Sequence, residues 1–265
     1  MDVTERLKEL GVKPAGGQHF LKSERQVQKF LSQAETTGKK ILEIGAGTGA
    51  ITEQVEASKV YAVEKDTVLA EGLKELEFNK EVEVINEDFL EMEIPEDVEY
   101  MIGNIPFEIS SDVLEKTGRE GVPATYIVQE EFADKIVASP GDSDYSFQSF
   151  KNRYYFVPVK ASVIPSSAYH PEPKVGTAVL KLFPNSERHG VEDGEALLGF
   201  AKALFTHRMK KVRNAFVDAR HMLDISKDEA KEIRDELPHS EKRVNSLEVS
   251  EAGEILEAFE DAKTV

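Results

Sequence analysis

Short apolar runs alternate with longer stretches of mixed polarity along the first half of the chain. Lys40–Ile44, Lys59–Val63, Val82–Ile85, Tyr100–Ile102 and Ala124–Val128 are the runs, and segments of helical length such as Asp66–Phe78 and Ser110–Thr117 lie between them. Strands that alternate with helices predict a parallel sheet covered on both faces. After Phe132 the pattern changes. Arg153–Ile164 and Val175–Phe183 are rich in valine and aromatic residues and are separated by a Pro/Ser stretch with no helical segment. They are predicted to form an antiparallel pair that closes the sheet. Pro184–Gly194 is polar and reads as a linker, and from Glu195 onward the periodicity is helical. The pattern therefore predicts two domains, 1–184 and 195–265, the first α/β and the second helical.

Composition adds exclusions. With 265 residues, 40% hydrophobic and 31% charged, the chain is not globally disordered. No apolar run reaches the roughly 18 residues that a membrane helix requires, and Met1–Leu10 is charged rather than signal-like. There is no cysteine, which removes disulfides, thiolate metal sites and cysteine nucleophiles and fits a cytoplasmic location.

The net charge of −17 argues against a nucleic-acid partner, but its distribution changes that reading. Phe147–Lys181 carries Lys151, Arg153, Lys160, Lys174 and Lys181 against Glu172 alone. Ala201–Arg220 carries Lys202, Arg208, Lys210, Lys211, Arg213 and Arg220 against Asp218 alone. Such islands either hold a polyanion or form solvated faces. The acid excess elsewhere fits a salt-rich cytosol, where at about 1 M salt the screening length falls to about 3 Å, or is simply an acidic surface.

Candidate chemistry begins at Glu43-Ile44-Gly45-Ala46-Gly47-Thr48-Gly49-Ala50, which follows a predicted strand and opens a helix. Glycines there let a ligand approach the backbone, and the helix beyond presents free N–H groups. Glu64 ends the next strand, nineteen residues after Gly45. An acid at that place can hold both hydroxyls of an adenosine ribose, in a nicotinamide cofactor or any other adenosine-containing one. Asp88, after the third strand, is placed either to accept from an adenine amino group or to cap the turn before Phe89 and Leu90.

Asn104-Ile105-Pro106-Phe107 follows the fourth strand, at the edge where ligands of open α/β sheets bind. The exocyclic amine of adenine is conjugated with its ring and is a poor nucleophile. Two acceptors aimed at its two hydrogens favour a pyramidal nitrogen with a localised lone pair. The Asn104 side-chain oxygen and the Ile105 carbonyl supply such a pair, and Pro106 biases Ile105 toward an extended conformation. Phe107 offers a ring face for base stacking.

In these motifs the chain resembles the rRNA adenine N6-dimethyltransferases of the KsgA type. The resemblance runs from about Gly17 to Asn214. It rests also on Gly17-Gln18-His19-Phe20-Leu21, Val128-Gln129-Glu130-Glu131-Phe132-Ala133, Pro140-Gly141-Asp142, Tyr145-Ser146, Tyr169-His170-Pro171-Glu172-Pro173-Lys174-Val175 and Leu204-Phe205-Thr206-His207-Arg208. It implies a Rossmann-like class I methyltransferase sheet with a small C-terminal helical domain, the first binding S-adenosylmethionine and the second RNA. It implies cofactor contacts from His19, Leu21, Gly45, Gly47, Glu64, Asp88 and Asn104, and no metal. The implied substrate is a pair of adjacent adenosines near the 3′ end of small-subunit rRNA, in the immature small subunit, approached by a monomer. Each base would be unstacked to reach the pocket, between Phe107 and Tyr169 as walls. Lys151, Arg153, Lys174, Arg208, Lys210, Lys211 and Arg213 would meet phosphates.

Four residues depart from the family pattern. His19 stands where Asn is usual, Phe107 where Tyr is usual, Tyr169 where Phe is usual and Lys135 where Arg is common. The related alternative is a large-subunit rRNA adenine methyltransferase of the antibiotic-resistance type, which shares the strand-four motif. A DNA adenine methyltransferase would normally carry Pro in place of Ile105. From another class, a non-catalytic assembly or accessory factor would keep the fold without turnover.

Overall fold

The computed structural model describes residues 2–14, 17–186 and 193–264. Its elements in chain order are α1 (Val3–Glu9), β1 (Phe20–Leu21), α2 (Glu24–Leu31), β2 (Lys40–Ile44), α3 (Ala50–Gln54), β3 (Lys59–Val63), α4 (Thr67–Lys74), β4 (Glu81–Ile85), β5 (Tyr100–Asn104), α5 (Ser110–Glu120), β6 (Ala124–Gln129), α6 (Glu130–Val137), α7 (Phe147–Tyr155), β7 (Phe156–Ile164), β8 (Tyr169–His170), β9 (Thr177–Pro184), α8 (Gly194–Phe205), α9 (Val212–Ala219), α10 (Lys227–Ile233) and α11 (Val249–Thr264). No helix among the described residues is long and apolar enough to cross a membrane.

The chain divides into two compact units, residues 1–133 with 157–184, and residues 134–156 with 185–265. The first is built on a seven-stranded sheet of order β4-β3-β2-β5-β6-β9-β7. Strands β4, β3, β2, β5 and β6 run parallel, and β9 runs antiparallel to β6, with Gln129 opposite Thr177. All five predicted parallel strands are present. One sheet face, with Ile41, Val60, Ala62, Tyr100 and Ile102, packs against Val27 and Phe30 of α2, Ile51 of α3 and Leu73 of α4. On the other face α5 is tied down where Thr117 Oγ1 meets the Tyr126 hydroxyl at 2.8 Å, both side chains buried. A polar pair buried this deeply needs such mutual satisfaction.

Two boundaries differ from the sequence expectation. Arg153–Tyr155 complete helix α7 and the strand begins at Phe156. The helix wins because Phe150 and Tyr154, one turn apart, both bury on one face, and because the Ser146 N–H is satisfied by Ser149 Oγ at 3.0 Å. For the same reason Asp134–Phe156, placed by the sequence reading in 1–184, clusters with the helical unit. Residues 187–192 of the expected linker lie outside the described residues. The second unit is held by aromatic contacts, with Phe259 5.7 Å from Phe200 and 5.3 Å from Phe216, and Phe205 meeting Phe150 at 5.4 Å.

A buried acid lies under the glycine loop. Glu43 on β2 is 1% exposed and accepts from Thr52 Oγ1 at 2.7 Å. Burial pushes its carboxyl up to about 8, against the pull of the Thr52 hydrogen bond and the Lys80 charge. The folded chain therefore binds this proton more tightly than the unfolded chain does. Stability falls as pH rises from the ordinary value of 4.5 to about 8. Glu43→Gln keeps a hydrogen-bond acceptor without the charge, so its urea midpoint is expected to fall less between pH 5 and pH 9 than the parent's. Equal falls would show that Glu43 does not carry the titration.

Candidate active site

The carboxyl ends of β2, β3, β4 and β5 open on a cleft of about 440 Å³. Its floor is the glycine loop, stitched to the end of β3 by the Gly45 and Ala46 N–H groups, which donate to the Val63 carbonyl at 2.9 and 3.1 Å. Gly47 has φ +58°, and a Cβ there would stand 3.2 Å from the Phe20 ring. The Gly47 N–H donates to Glu64 Oε2 at 2.8 Å, and the Asp66 N–H to Oε1 at 2.9 Å. Glu64 is thus oriented through both oxygens, each of which keeps a lone pair for a further hydrogen bond. Burial pushes its carboxyl upward, and the Asp66 and Gly47 N–H groups pull it back.

Asp88 lines the same cleft. Its Oδ1 accepts from the Leu90 N–H at 2.9 Å, as a turn cap does, and Oδ2 meets Lys65 Nζ at 2.6 Å. That lysine holds the Asp88 carboxyl below its ordinary range. Glu64, Asp66, Glu87, Asp88 and Glu108 line the cleft with Lys65 as its one lysine or arginine, so the lining favours a cationic guest.

Asn104 ends β5 beside the glycine loop. Close approach of β2 and β5 requires Gly103, where a Cβ would fall 2.6 Å from the Ile44 carbonyl. The Asn104 Nδ2–H donates to the His19 carbonyl at 2.8 Å, which leaves Oδ1 as the free end of the amide. The Ile105 N–H donates to the Ile127 carbonyl at 3.0 Å and its side chain is buried, so this position acts through its backbone. Pro106, at φ −55° and ψ 133°, turns the chain into the 3-10 segment that carries Phe107. His19 stands in place as well. Its ring packs on Phe107 with centroids 5.6 Å apart, and Nδ1 meets the Pro171 carbonyl at 2.8 Å. A carbonyl can only accept, so Nδ1 carries the proton and Nε2 is the acceptor of the neutral ring.

Two expected site residues are elsewhere. Tyr169 is 1% exposed, and its hydroxyl pairs with Thr177 Oγ1 at 2.7 Å. It lies in the core and is not part of the cleft lining. Leu21 pairs with it across β1 and β8 and is buried too. Neighbouring strand residues point to opposite faces, so Phe20, which the sequence reading did not weigh, lines the cleft instead. Glu108, next to Phe107 and also unweighed, lines it as well.

The expected phosphate contacts divide into two groups. Lys151 is 7% exposed, which argues against a phosphate contact. Arg153 gives Nε to the Ala138 carbonyl and Nη2 to the Val137 carbonyl, and Arg208 gives Nη1 to the Ser143 and Tyr145 carbonyls. These guanidinium groups tie loops together. Lys174 is exposed after β8. Lys210, Lys211 and Arg213 reach solvent at the start of α9, each beside a carboxylate.

The sheet order, with its antiparallel penultimate strand and ligand cleft at the β2–β5 carboxyl edge, is the fold of the class I methyltransferases. A family model described as ribosomal RNA adenine dimethylase matches residues 11–251, and the chain belongs to that family. It is 39% identical over 249 residues to a protein of Thermococcus kodakarensis named "Probable ribosomal RNA small subunit methyltransferase A", covering 91% of this chain and 88% of the relative. A relative of the same name in Methanococcoides burtonii is 35% identical, covering 90% of each chain. The fold is shared with the crystal structure of a dimethyladenosine transferase from Plasmodium falciparum, at TM-score 0.79 and 22% identity over 92% of this chain and 98% of the other.

Proposed function

We propose that the protein transfers methyl groups from S-adenosylmethionine to the N6 amino groups of two adjacent adenosines near the 3′ end of small-subunit rRNA, giving N6,N6-dimethyladenosine during ribosome biogenesis. The observation that carries this reading is the anchored Asn104 amide, whose Oδ1 is left to accept from an amine in the cleft that also holds Glu64.

The cleft fits the methyl donor. Glu64 would hold the ribose hydroxyls, Asp88 and Phe89 would border the adenine, and the acidic lining suits a cation. S-adenosylmethionine, when bound, supplies a methyl group on a positively charged sulfur. The chain's own residues prepare the acceptor. In the first transfer Asn104 Oδ1 and the Ile105 carbonyl take hydrogen bonds from the two N6 hydrogens and localise the lone pair; in the second, the one remaining N6 hydrogen is held by one of the two acceptors. Their hold strengthens as positive charge grows on nitrogen, which is the differential stabilisation that catalysis requires. Phe107 stacks on the unstacked base, and the surplus proton leaves to solvent.

Glu64→Ala is expected to weaken S-adenosylmethionine binding about ten- to a hundred-fold, the value of a charge-assisted hydrogen-bond pair. Calorimetry showing unchanged affinity would remove Glu64 from the site. The reading as a whole is tested by incubating the protein with labelled S-adenosylmethionine and either immature small subunits or large-subunit rRNA, then mapping the product by nucleotide. Label on two adjacent adenosines near the 3′ end of the small-subunit rRNA is the expected result. Label on large-subunit rRNA alone would give the antibiotic-resistance type, and binding without label would give an assembly factor.

A further inference from the structure

The basic island at the start of α9 is already occupied by acids. Lys211 Nζ meets Glu241 Oε2 at 2.6 Å, and Arg213 Nη1 meets Glu241 Oε1 at 2.5 Å. Glu241 thus presents one oxygen to each of two cations, as a backbone phosphate presents its two non-bridging oxygens. The backbone holds it there. The Arg213 N–H donates to the Ser240 carbonyl at 3.1 Å and the Val212 N–H to the Lys242 carbonyl at 2.8 Å, one bond on either side of Glu241. Lys210 is paired in the same way with Asp218 at 2.6 Å.

All three members of the triad reach solvent, with side-chain exposures of 46% for Lys211, 38% for Arg213 and 59% for Glu241. Exposed pairs of this kind contribute little to stability. A stronger, doubly anchored anion can therefore displace the carboxylate without disturbing the fold.

Resting on the reading of this chain as an rRNA-binding enzyme, we infer that Glu241 is an internal competitor for RNA phosphate. Its carboxylate holds Lys211 and Arg213 in the free protein and is displaced when a backbone phosphate takes its place. The arrangement lowers affinity for any polyanion that meets this patch alone. An RNA engaged elsewhere on the protein can still displace the carboxylate. Glu241 thus raises discrimination at the expense of raw affinity. It also lowers the number of counterions released on binding, because the two cations are already partly neutralised.

The test is equilibrium binding of the full chain to a labelled hairpin of small-subunit rRNA, without cofactor, over a salt series. Glu241→Gln is expected to tighten binding roughly three- to thirty-fold at low salt, the equivalent of the two released pairs. The log-affinity against log-salt plot is expected to steepen by about one to two. Glu257→Gln removes an equal charge from an exposed position and should gain less than twofold. Glu241→Asp keeps the charge but is too short to bridge both cations, and should show an intermediate gain. In the Lys211→Met/Arg213→Met background the gain from Glu241→Gln should vanish. A Glu241→Gln chain no tighter than Glu257→Gln would overturn the inference, as would a gain that survives loss of both cations. Methyl transfer by the parent chain to immature small subunits reports on the enzymatic reading separately, so either can fail alone.

Discussion

Asn104→Ala is expected to lower the rate of methyl transfer in a single turnover by about 10²- to 10³-fold, the usual effect of removing one preorganised hydrogen-bonding group from developing charge. The loss has two parts. The acceptor Oδ1 disappears, and the His19 carbonyl loses the N–H that it accepts at 2.8 Å. Asn104→Asp separates them. An aspartate keeps an oxygen for the amine, but ionised it has no proton to give His19, so it is expected to retain more activity than alanine and less than the parent. Melting temperature controls for folding. A rate for Asn104→Ala within about threefold of the parent would remove the residue from the chemistry.

Phe107 carries the second large effect. Base stacking is worth about 1–3 kcal/mol, so Phe107→Ala is expected to lower kcat/KM by roughly ten- to a hundred-fold. Tyr169, the other aromatic residue expected near the base, is buried and does not line the cleft with Phe107. Phe107→Tyr preserves the ring face and adds a hydroxyl at a half-exposed position, so activity near the parent's is expected. Wild-type turnover by Phe107→Ala would end the stacking role. A large gain for Phe107→Tyr would identify the natural chain as a weakened enzyme.

Much of the site could be read from the chain because it is written in short, contiguous signals. A glycine loop between strand and helix, an acid at the end of the next strand and Asn-Ile-Pro-Phe after the fourth are each set by local backbone demands. The parallel order of the sheet brings their ends to one edge without further information. The residues placed outside the cleft or tied to backbone carbonyls are those whose position depends on partners far away in sequence. Tyr169 and Leu21 were read as site residues by motif alone. Their pairing across β1 and β8, 148 positions apart between Leu21 and Tyr169, sends both side chains into the core. Arg153 and Arg208 were read by charge, and only the folded loops show that their protons go to backbone carbonyls.

The linear order of residues thus determined the strands, the acid that follows β3 and the asparagine that ends β5, because each follows from periodicity or from backbone geometry within a few residues. Tertiary structure alone decided which end of the Asn104 amide is free, since that depends on a carbonyl 85 positions upstream. It decided as well which cations face solvent with a carboxylate already in place. Periodicity names the face of a strand or helix; only packing settles whether that face meets the core, a carbonyl or water.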